Sequence, residues 1–241
     1  MKNNKVIILI TIIAVIAIVG VFFGVNYLMD AYVQGQRATQ SGNQAVTGQA
    51  VSPAYSLIMV TMDSPEESGI CGEHLEWYFK DEVLVITGTG KMDEYIYSAN
   101  SAPWHSLWDQ IGCVIVDEGI TSIGGAAFMG CRGMTEIVLP SSLTYIYDRA
   151  FFGCSSLMQI NLPESVTSIG KSVFYGCSSL REITLPDNIT SIGESAFENC
   201  SDLTKITLSS SLTNISKNAF YVCSSLREIT LPDRITIIDE S

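Results

Sequence analysis

The sequence predicts an α/β repeat solenoid, a fold in which short units of similar sequence stack on one another. Three observations predict it: cysteine recurs with a period of 23 residues, the residues between the cysteines are similar from unit to unit, and several aligned columns never change. A fixed period of this length is typical of solenoids, because each unit can bury its apolar side only against its neighbours. The periodic cysteines are Cys131, Cys154, Cys177, Cys200 and Cys223.

Invariant apolar columns predict the core. Stacked units place one column at one point in space, so the core accepts a single side-chain shape there. Burial of each such side chain contributes about 1.5–3 kcal/mol, which helps the stack offset the entropy of the chain. One column holds Phe128, Phe151, Phe174, Phe197 and Phe220, a second holds Ile123, Ile146, Ile169, Ile192, Ile215 and Ile238, and a third holds Met134, Leu157, Leu180, Leu203 and Leu226.

Each unit begins with a predicted strand. In the segment SLREITLP, the alternation points Leu180, Ile183 and Leu185 inward. The same alternation points Glu182 and Thr184 toward solvent. The proline that follows ends the strand, because it has no amide hydrogen to donate to a ladder.

The rest of each unit is predicted to turn the chain back. Gly170 and Gly193 lie at the bend, where glycine permits a positive φ. The segment that leads to each cysteine, such as SAFENC, is predicted to form one short helical turn. Such a turn is too short to be stable without its neighbours.

The repeat motif resembles that of a known family. The pattern LP-x-x-[ILV]-T-x-I-G-x-x-A-F-x-x-C-x-x-L-x-x-I-x-L is similar to the BspA-like leucine-rich repeat, the 23-residue Treponema-type variant found on bacterial surfaces. The preceding stretches CGEHLEWYF, VLVITGTGKM and APWHSLWDQI resemble the amino-terminal cap of that family, so the resemblance covers residues 68–241. It implies a right-handed solenoid with a parallel sheet on its concave side, and a role in binding or adhesion. Departures that affect turn geometry occur at Tyr147, Ser209, Ser216, Val222 and Asp239.

The amino terminus predicts a membrane anchor. Residues 6–25 form an apolar run long enough to span a bilayer, and Lys2 and Lys5 precede it. The positive-inside rule then keeps the amino terminus in the cytoplasm and exports the rest. A cleaved signal peptide is the alternative. The predicted organisation is a cytoplasmic tip and anchor (1–30), a flexible tether (31–62), a β-rich cap (63–110) and repeats (111–241).

Net charge limits the partners. The chain has a net charge of −12, and the cap region is its most acidic part. Nucleic-acid binding is therefore not expected, because it depends on basic contacts to phosphate. No calcium-loop motif is present, and we expect no metal and no cofactor.

The cysteines and histidines do not predict an enzyme. The five periodic cysteines are expected to be buried thiols. A bond between Cys71 and Cys113 is left open, and Cys113 is expected to face the concave side. His105, Asp109 and Cys113 are spaced like one face of a helix, as in a nucleophile set, but a predicted strand over 111–116 interrupts that helix. Trp104 and Trp108 are instead expected to cover the first repeat.

Variable columns on the concave side predict the binding surface. Solenoids use this side for recognition, and the expected partner is a protein or a polysaccharide at the cell surface. The alternative is an envelope scaffold or spacer without a ligand, whose polar columns only keep the sheet soluble. The candidate residues are Glu136, Gln159, Asn161, Arg181, Glu182, Thr184, Lys205, Thr207, Arg227, Glu228 and Thr230.

The last unit stops before its phenylalanine and cysteine. Its apolar residues are expected to be open on one side, so the sequence predicts either a fragment or an end that meets a partner. The residues concerned are Leu226, Ile229, Leu231, Ile235 and Ile238.

Overall fold

The computed structural model of the protein describes residues 65–96 and 101–239. These residues belong to one compact unit, Pro65–Ser241. The predicted membrane anchor at 6–25 and the predicted tether at 31–62 lie outside the described residues. Within the described ranges, no helix combines the length and the apolar character needed to cross a bilayer.

The cap is a three-stranded antiparallel meander that leads directly into the repeats. Strands β1 (Glu67–Gly72), β2 (Leu75–Lys80) and β3 (Val83–Gly88) pair in sequence order. The short strand β4 (Gly90–Lys91) follows. A 3₁₀ turn at His105–Leu107 precedes the first repeat.

Parallel pairing between the stacked units occurs in three sheets, whereas the family resemblance implied one parallel sheet on the concave side. In the first sheet, β3 of the cap pairs in parallel with the first repeat strand, so the cap supplies the edge on which the repeats stack. In the second sheet, β4 of the cap pairs in parallel with the next strand of the first repeat. The first sheet contains β5 (Cys113–Val116) and β7 (Glu136–Val138), and a separate pair follows with β10 (Glu182–Thr184) and β12 (Lys205–Thr207). The second sheet contains β6 (Ile120–Ile123), β8 (Tyr145–Ile146), β9 (Ser168–Ile169), β11 (Ser191–Ile192), β13 (Asn214–Ile215) and β14 (Ile237–Ile238).

The phenylalanine column is a continuous stack of rings, which confirms the prediction of a shared core. Phe151 and Phe174 are fully buried, with ring centroids 5.5 Å apart and planes 5° from parallel. The other adjacent pairs from Phe128 to Phe220 are also stacked, with centroids 5.3 to 5.6 Å apart. Trp104 extends the stack at the cap end, because its ring lies 5.6 Å from that of Phe128.

The expected helical turns are not helices, and the α/β assignment is wrong on this point. No α-helix occurs in residues 65–96 and 101–239. The reason lies in the backbone hydrogen bonds. The amides of Phe151 and Gly153 donate to Val173 and Tyr175 of the next unit, at 3.0 and 2.7 Å. Amides committed to a neighbouring coil cannot form the i→i−4 bonds of an α-helix, so the fold is a β-solenoid.

The bend glycines act through close packing and not through a positive φ, which corrects the prediction. Gly170 and Gly193 are absent from the residues with positive φ. A Cβ on Gly193 would lie 2.4 Å from the carbonyl oxygen of Gly170, and one on Gly170 would lie 2.8 Å from the amide nitrogen of Asp148. Positive φ occurs instead in two other repeat columns. One lies just before each cysteine and holds Gly130, Gly153, Gly176, Asn199 and Val222, and the other holds Ala126, Arg149, Ser172, Ser195 and Asn218.

The last coil is more exposed than the coils before it. Ile238 is 59% exposed, whereas Ile215, one period earlier, is 6% exposed. Leu231 is 43% exposed. Ile237 is also exposed, whereas Leu226, Ile229 and Ile235 are partly buried against the core.

Candidate functional site

The variable columns form rows of exposed side chains along β10, β12 and the equivalent positions of the neighbouring coils. Glu182 pairs in register with Lys205, and Thr184 pairs with Thr207, so equivalent residues of adjacent coils are neighbours. Glu136 is only partly exposed. The other candidates are exposed and are called the polar face below: Gln159, Asn161, Arg181, Glu182, Thr184, Lys205, Thr207, Arg227, Glu228 and Thr230.

Three residues of the first sheet at the equivalent columns are apolar and buried. Cys113, Ile115 and Val138 occupy the same columns as Glu182 and Thr184, yet they are 2%, 3% and 8% exposed. The expectation that Cys113 lies on an open concave surface is therefore wrong. Its column position is as predicted, since it pairs with Glu136, but its thiol is buried.

The thiols have the opposite chemistry to that of a nucleophile. Burial, with a smaller contribution from the charge of Glu136, raises the pKa of Cys113 to about 12. Catalytic cysteines have a lowered pKa, because the thiolate is the reactive form. Cys113 lies in a strand and His105 in the 3₁₀ turn, so the helical spacing that suggested a nucleophile set does not exist in the fold.

All seven cysteines of the chain lie in the described residues, and none forms a disulfide. The five periodic thiols are buried, as expected. The bond left open between Cys71 and Cys113 is not made. Within residues 65–96 and 101–239, no group of three or more His, Cys, Asp or Glu residues is arranged to hold a metal ion.

The charged residues of the polar face are solvated. The salt bridges found in the described part of the chain join Lys171 to Glu194 at 3.6 Å and His74 to Glu73 at 3.9 Å. Neither lies on the polar face. Its basic and acidic groups are thus not committed to such pairs with one another, and exposed charges of this kind contribute little to stability. They are available to a partner.

An interruption of the first sheet lies within the polar face. The coil of residues 155–177, called the Asn161 coil, has no strand where its neighbours have β7 and β10. It keeps one isolated bridge, between Gln159 and Glu182. Asparagine favours strands poorly, whereas Ile, Val or Thr occupies the column of Asn161 in the other coils.

A depression opens at this interruption, with a volume of about 380 Å³. We call it the Asn161 depression. Sequence reasoning chose four of its residues as part of a broad surface but did not foresee a concavity, for which the asparagine was the available signal. Its exposed lining residues are Gln159, Asn161, Glu164, Glu182 and Thr184, and its other lining residues, Ile160, Leu162, Ile183 and Pro186, are apolar.

Sequence reasoning also missed a pair of stacked aromatic rings at the turns. The rings of Phe152 and Tyr175 are 4.5 Å apart and almost parallel. Tyr221, in the same column, is 53% exposed. The signal was the repeated aromatic residue two positions before the cysteine. These rings lie at the turns, away from the strands that form the polar face.

A family model described as "BspA type Leucine rich repeat region" matches residues 114–241 in six copies. A comparison with curated proteins found no match. Among solved structures, a leucine-rich repeat protein of T. pallidum is 26% identical with a TM-score of 0.54, and the match covers 70% of this chain and 85% of that one.

Two other solved structures share the fold at lower identity. A leucine-rich cell surface protein from Faecalibacterium prausnitzii A2-165 is 24% identical with a TM-score of 0.55, and the match covers 73% of this chain and 51% of that one. A leucine-rich repeat protein from Bacteroides ovatus is 23% identical with a TM-score of 0.55, and the match covers 71% of this chain and 52% of that one.

Proposed function

Because the chain belongs to the BspA-type leucine-rich-repeat family, we propose that it is a membrane-anchored extracytoplasmic protein that binds a macromolecular partner at the cell surface. The partner is a protein or a polysaccharide, held by the polar face. A nucleic-acid partner does not fit a chain with a net charge of −12.

The observation that carries this proposal is the register of the polar face. Glu182 lies beside Lys205, and Thr184 lies beside Thr207, on strands that pair residue by residue. Adjacent strands in a sheet are about 4.8 Å apart. The face therefore presents closely spaced, solvated donors and acceptors on a rigid support, which suits recognition of an extended partner.

The proposed location has two supports. The apolar run at 6–25, with lysines before it, fits a single membrane span with a cytoplasmic amino terminus, followed by a tether over 31–62 and a cap over 63–110. The F. prausnitzii structure of similar fold is named a cell surface protein. Proteolysis of intact cells tests this placement: the repeats are expected to be degraded while the cytoplasmic side stays protected.

Charge reversal tests the role of the polar face. Cells that display the full chain are incubated with purified matrix proteins or with wall polysaccharides, and binding of each is measured. Binding is expected to weaken in the double variant Glu182→Lys, Lys205→Glu, because the charges exchange places while the net charge is unchanged. Lys171→Glu with Glu194→Lys is the matched control on an existing exposed salt bridge away from this face.

The spacer alternative predicts a different result. A chain that only separates other envelope components shows no saturable binding to the matrix proteins or to the wall polysaccharides. Saturable binding that survives the exchange of Glu182 and Lys205 assigns recognition to another surface of the molecule.

A further inference from the structure

We propose that the Asn161 depression binds an uncharged, hydroxyl-rich ligand, namely a segment of a neutral glycan. This inference rests on the proposed function and specifies where on the polar face the ligand lies and what its chemistry is. It concerns one place in the stack, because the depression coincides with the single-bridge coil between β7 and β10.

The polar side chains of the depression converge from two adjacent coils. Gln159 faces Glu182 of β10 across the isolated bridge, so the two backbone segments are about 4.8 Å apart at this point. Thr184 lies two residues after Glu182 on β10, so it points to the same side about 6.6 Å away, and Asn161, two residues after Gln159, is exposed as well. Four exposed polar groups thus surround one small area.

The hydrogen-bonding groups match hydroxyls. The amides of Gln159 and Asn161 both donate and accept, the carboxylate of Glu182 accepts, and the hydroxyl of Thr184 does either. Glu164 adds a second exposed carboxylate at the far end. A ligand hydroxyl also donates and accepts, so neighbouring hydroxyls of a sugar can pair with such a mixed set without leaving a polar group unpaired.

The lining disfavours other classes of ligand. It contains no Lys, Arg or His, and it contains two glutamates, which disfavours phosphorylated or other anionic ligands. It contains no aromatic residue. Protein interfaces have an apolar centre in which aromatic or arginine anchors fill pockets. A depression whose exposed side chains are polar therefore favours a glycan over a protein.

The next groove along the stack serves as an internal comparison. Between β10 and β12 the strands pair at three successive positions, from Glu182↔Lys205 to Thr184↔Thr207. Threonine occupies the column of Asn161 on both strands. The ligand site is consequently expected beside the Asn161 coil and not between β10 and β12.

The substitution Asn161→Thr tests the proposal without endangering the fold. Threonine occupies this column in three later coils and favours strands more than asparagine does. The variant is expected to fold and to form a strand in the Asn161 coil. That strand would remove the Asn161 depression. Thr207→Ala, in the same column of the uninterrupted pair, is the matched control.

Isothermal titration of the full chain, in a detergent without sugar head groups, uses cellohexaose, maltohexaose and dextran as neutral probes and polygalacturonate as the anionic probe. We expect one site per chain for a neutral probe, with little dependence on salt. Loss of one or two hydrogen bonds predicts about tenfold weaker binding for Asn161→Thr and unchanged binding for Thr207→Ala.

Two results overturn the inference while the proposed function stands. One is capture of a protein, or of polygalacturonate alone, by a chain that binds none of the neutral probes. The other is neutral-glycan binding that is equal in the wild type and in Asn161→Thr. Absence of saturable binding to every protein and polysaccharide tested removes the proposed function together with the inference.

Discussion

The thiol of Cys177 donates a hydrogen bond to the carbonyl oxygen of Phe151 in the preceding coil, at 3.2 Å. The same bond recurs along the stack at 3.0 to 3.1 Å, from Cys154 to Phe128, from Cys200 to Phe174 and from Cys223 to Phe197. The periodic cysteine is thus a small buried side chain that also donates to the backbone of its neighbour. This dual role explains why the cysteine recurs although no disulfide is formed.

Removing one such thiol is expected to weaken the stack. Cys177→Ala deletes a fully buried sulfur and a weak hydrogen bond, so the free energy of unfolding should fall by about 1–2 kcal/mol. Urea unfolding followed by circular dichroism measures it. Ser178→Ala removes a neighbouring, partly exposed hydroxyl and should have a smaller effect. Equal midpoints for the wild type and Cys177→Ala would contradict the interpretation.

Alkaline pH is expected to destabilise the solenoid through its thiols. Burial raises the pKa of Cys177 from 9.0 to about 12, although a backbone hydrogen bond partly offsets this. The folded state therefore holds its protons more tightly, so this contribution is complete below pH 9.0 and is lost as pH rises toward about 12. The unfolding free energy of the wild type should decline more steeply over this window than that of Cys177→Ala. Parallel pH profiles would refute this assignment.

Close packing at the bend predicts a large effect for Gly193→Ala. The added methyl would lie 2.4 Å from the carbonyl oxygen of Gly170, and backbone atoms there have little room to move. Overpacking of this kind costs about 2–3 kcal/mol. Gly153→Ala is the comparison, because no atom lies within 4 Å of its added methyl and only the positive φ of 72° opposes it, at about 1 kcal/mol. Thermal unfolding of both variants should rank Gly193→Ala as the more damaging.

Val222 is a strained residue whose replacement should stabilise the protein. It has a φ of 58°, which is unfavourable for a β-branched side chain, and it is 48% exposed. Val222→Gly should raise the free energy of unfolding by about 1 kcal/mol, because glycine accepts this conformation. Gly176→Val, at the same column, should lower it. An unchanged or lower melting temperature for Val222→Gly would show that the strain is absent.

Column identity predicts most of the core correctly. A residue that recurs at one position of every coil occupies the same environment in each. The sequence therefore predicts that Phe151 and Phe174 belong to one stack of rings. The alternation in SLREITLP likewise predicts which residues are buried, since Leu180, Ile183 and Leu185 are inside and Glu182 and Thr184 are exposed.

Column identity fails where a position depends on contacts between coils. From the sequence, Gly193 is expected to have a positive φ, but it does not. Glycine is needed there because the backbone of Gly170, in another unit, approaches too closely for a side chain. Cys113 shares a column with Glu182, but the two have different surroundings, buried in one case and solvated in the other. The anchor at 6–25 and the domain limits remain predictions.

By itself, the sequence determined the period, the inward columns and the parallel stacking, because these follow from which side chains repeat. Only the tertiary structure decided that the segments before the cysteines are turns and that strand pairing is interrupted at Asn161. It also decided that Gln159, two glutamates and Thr184 line a depression there. Those features depend on where the backbone amides of one coil find acceptors in the next. A hydrogen bond to a neighbouring coil prevents a local helical bond, and a strand that loses its ladder leaves a space beside it.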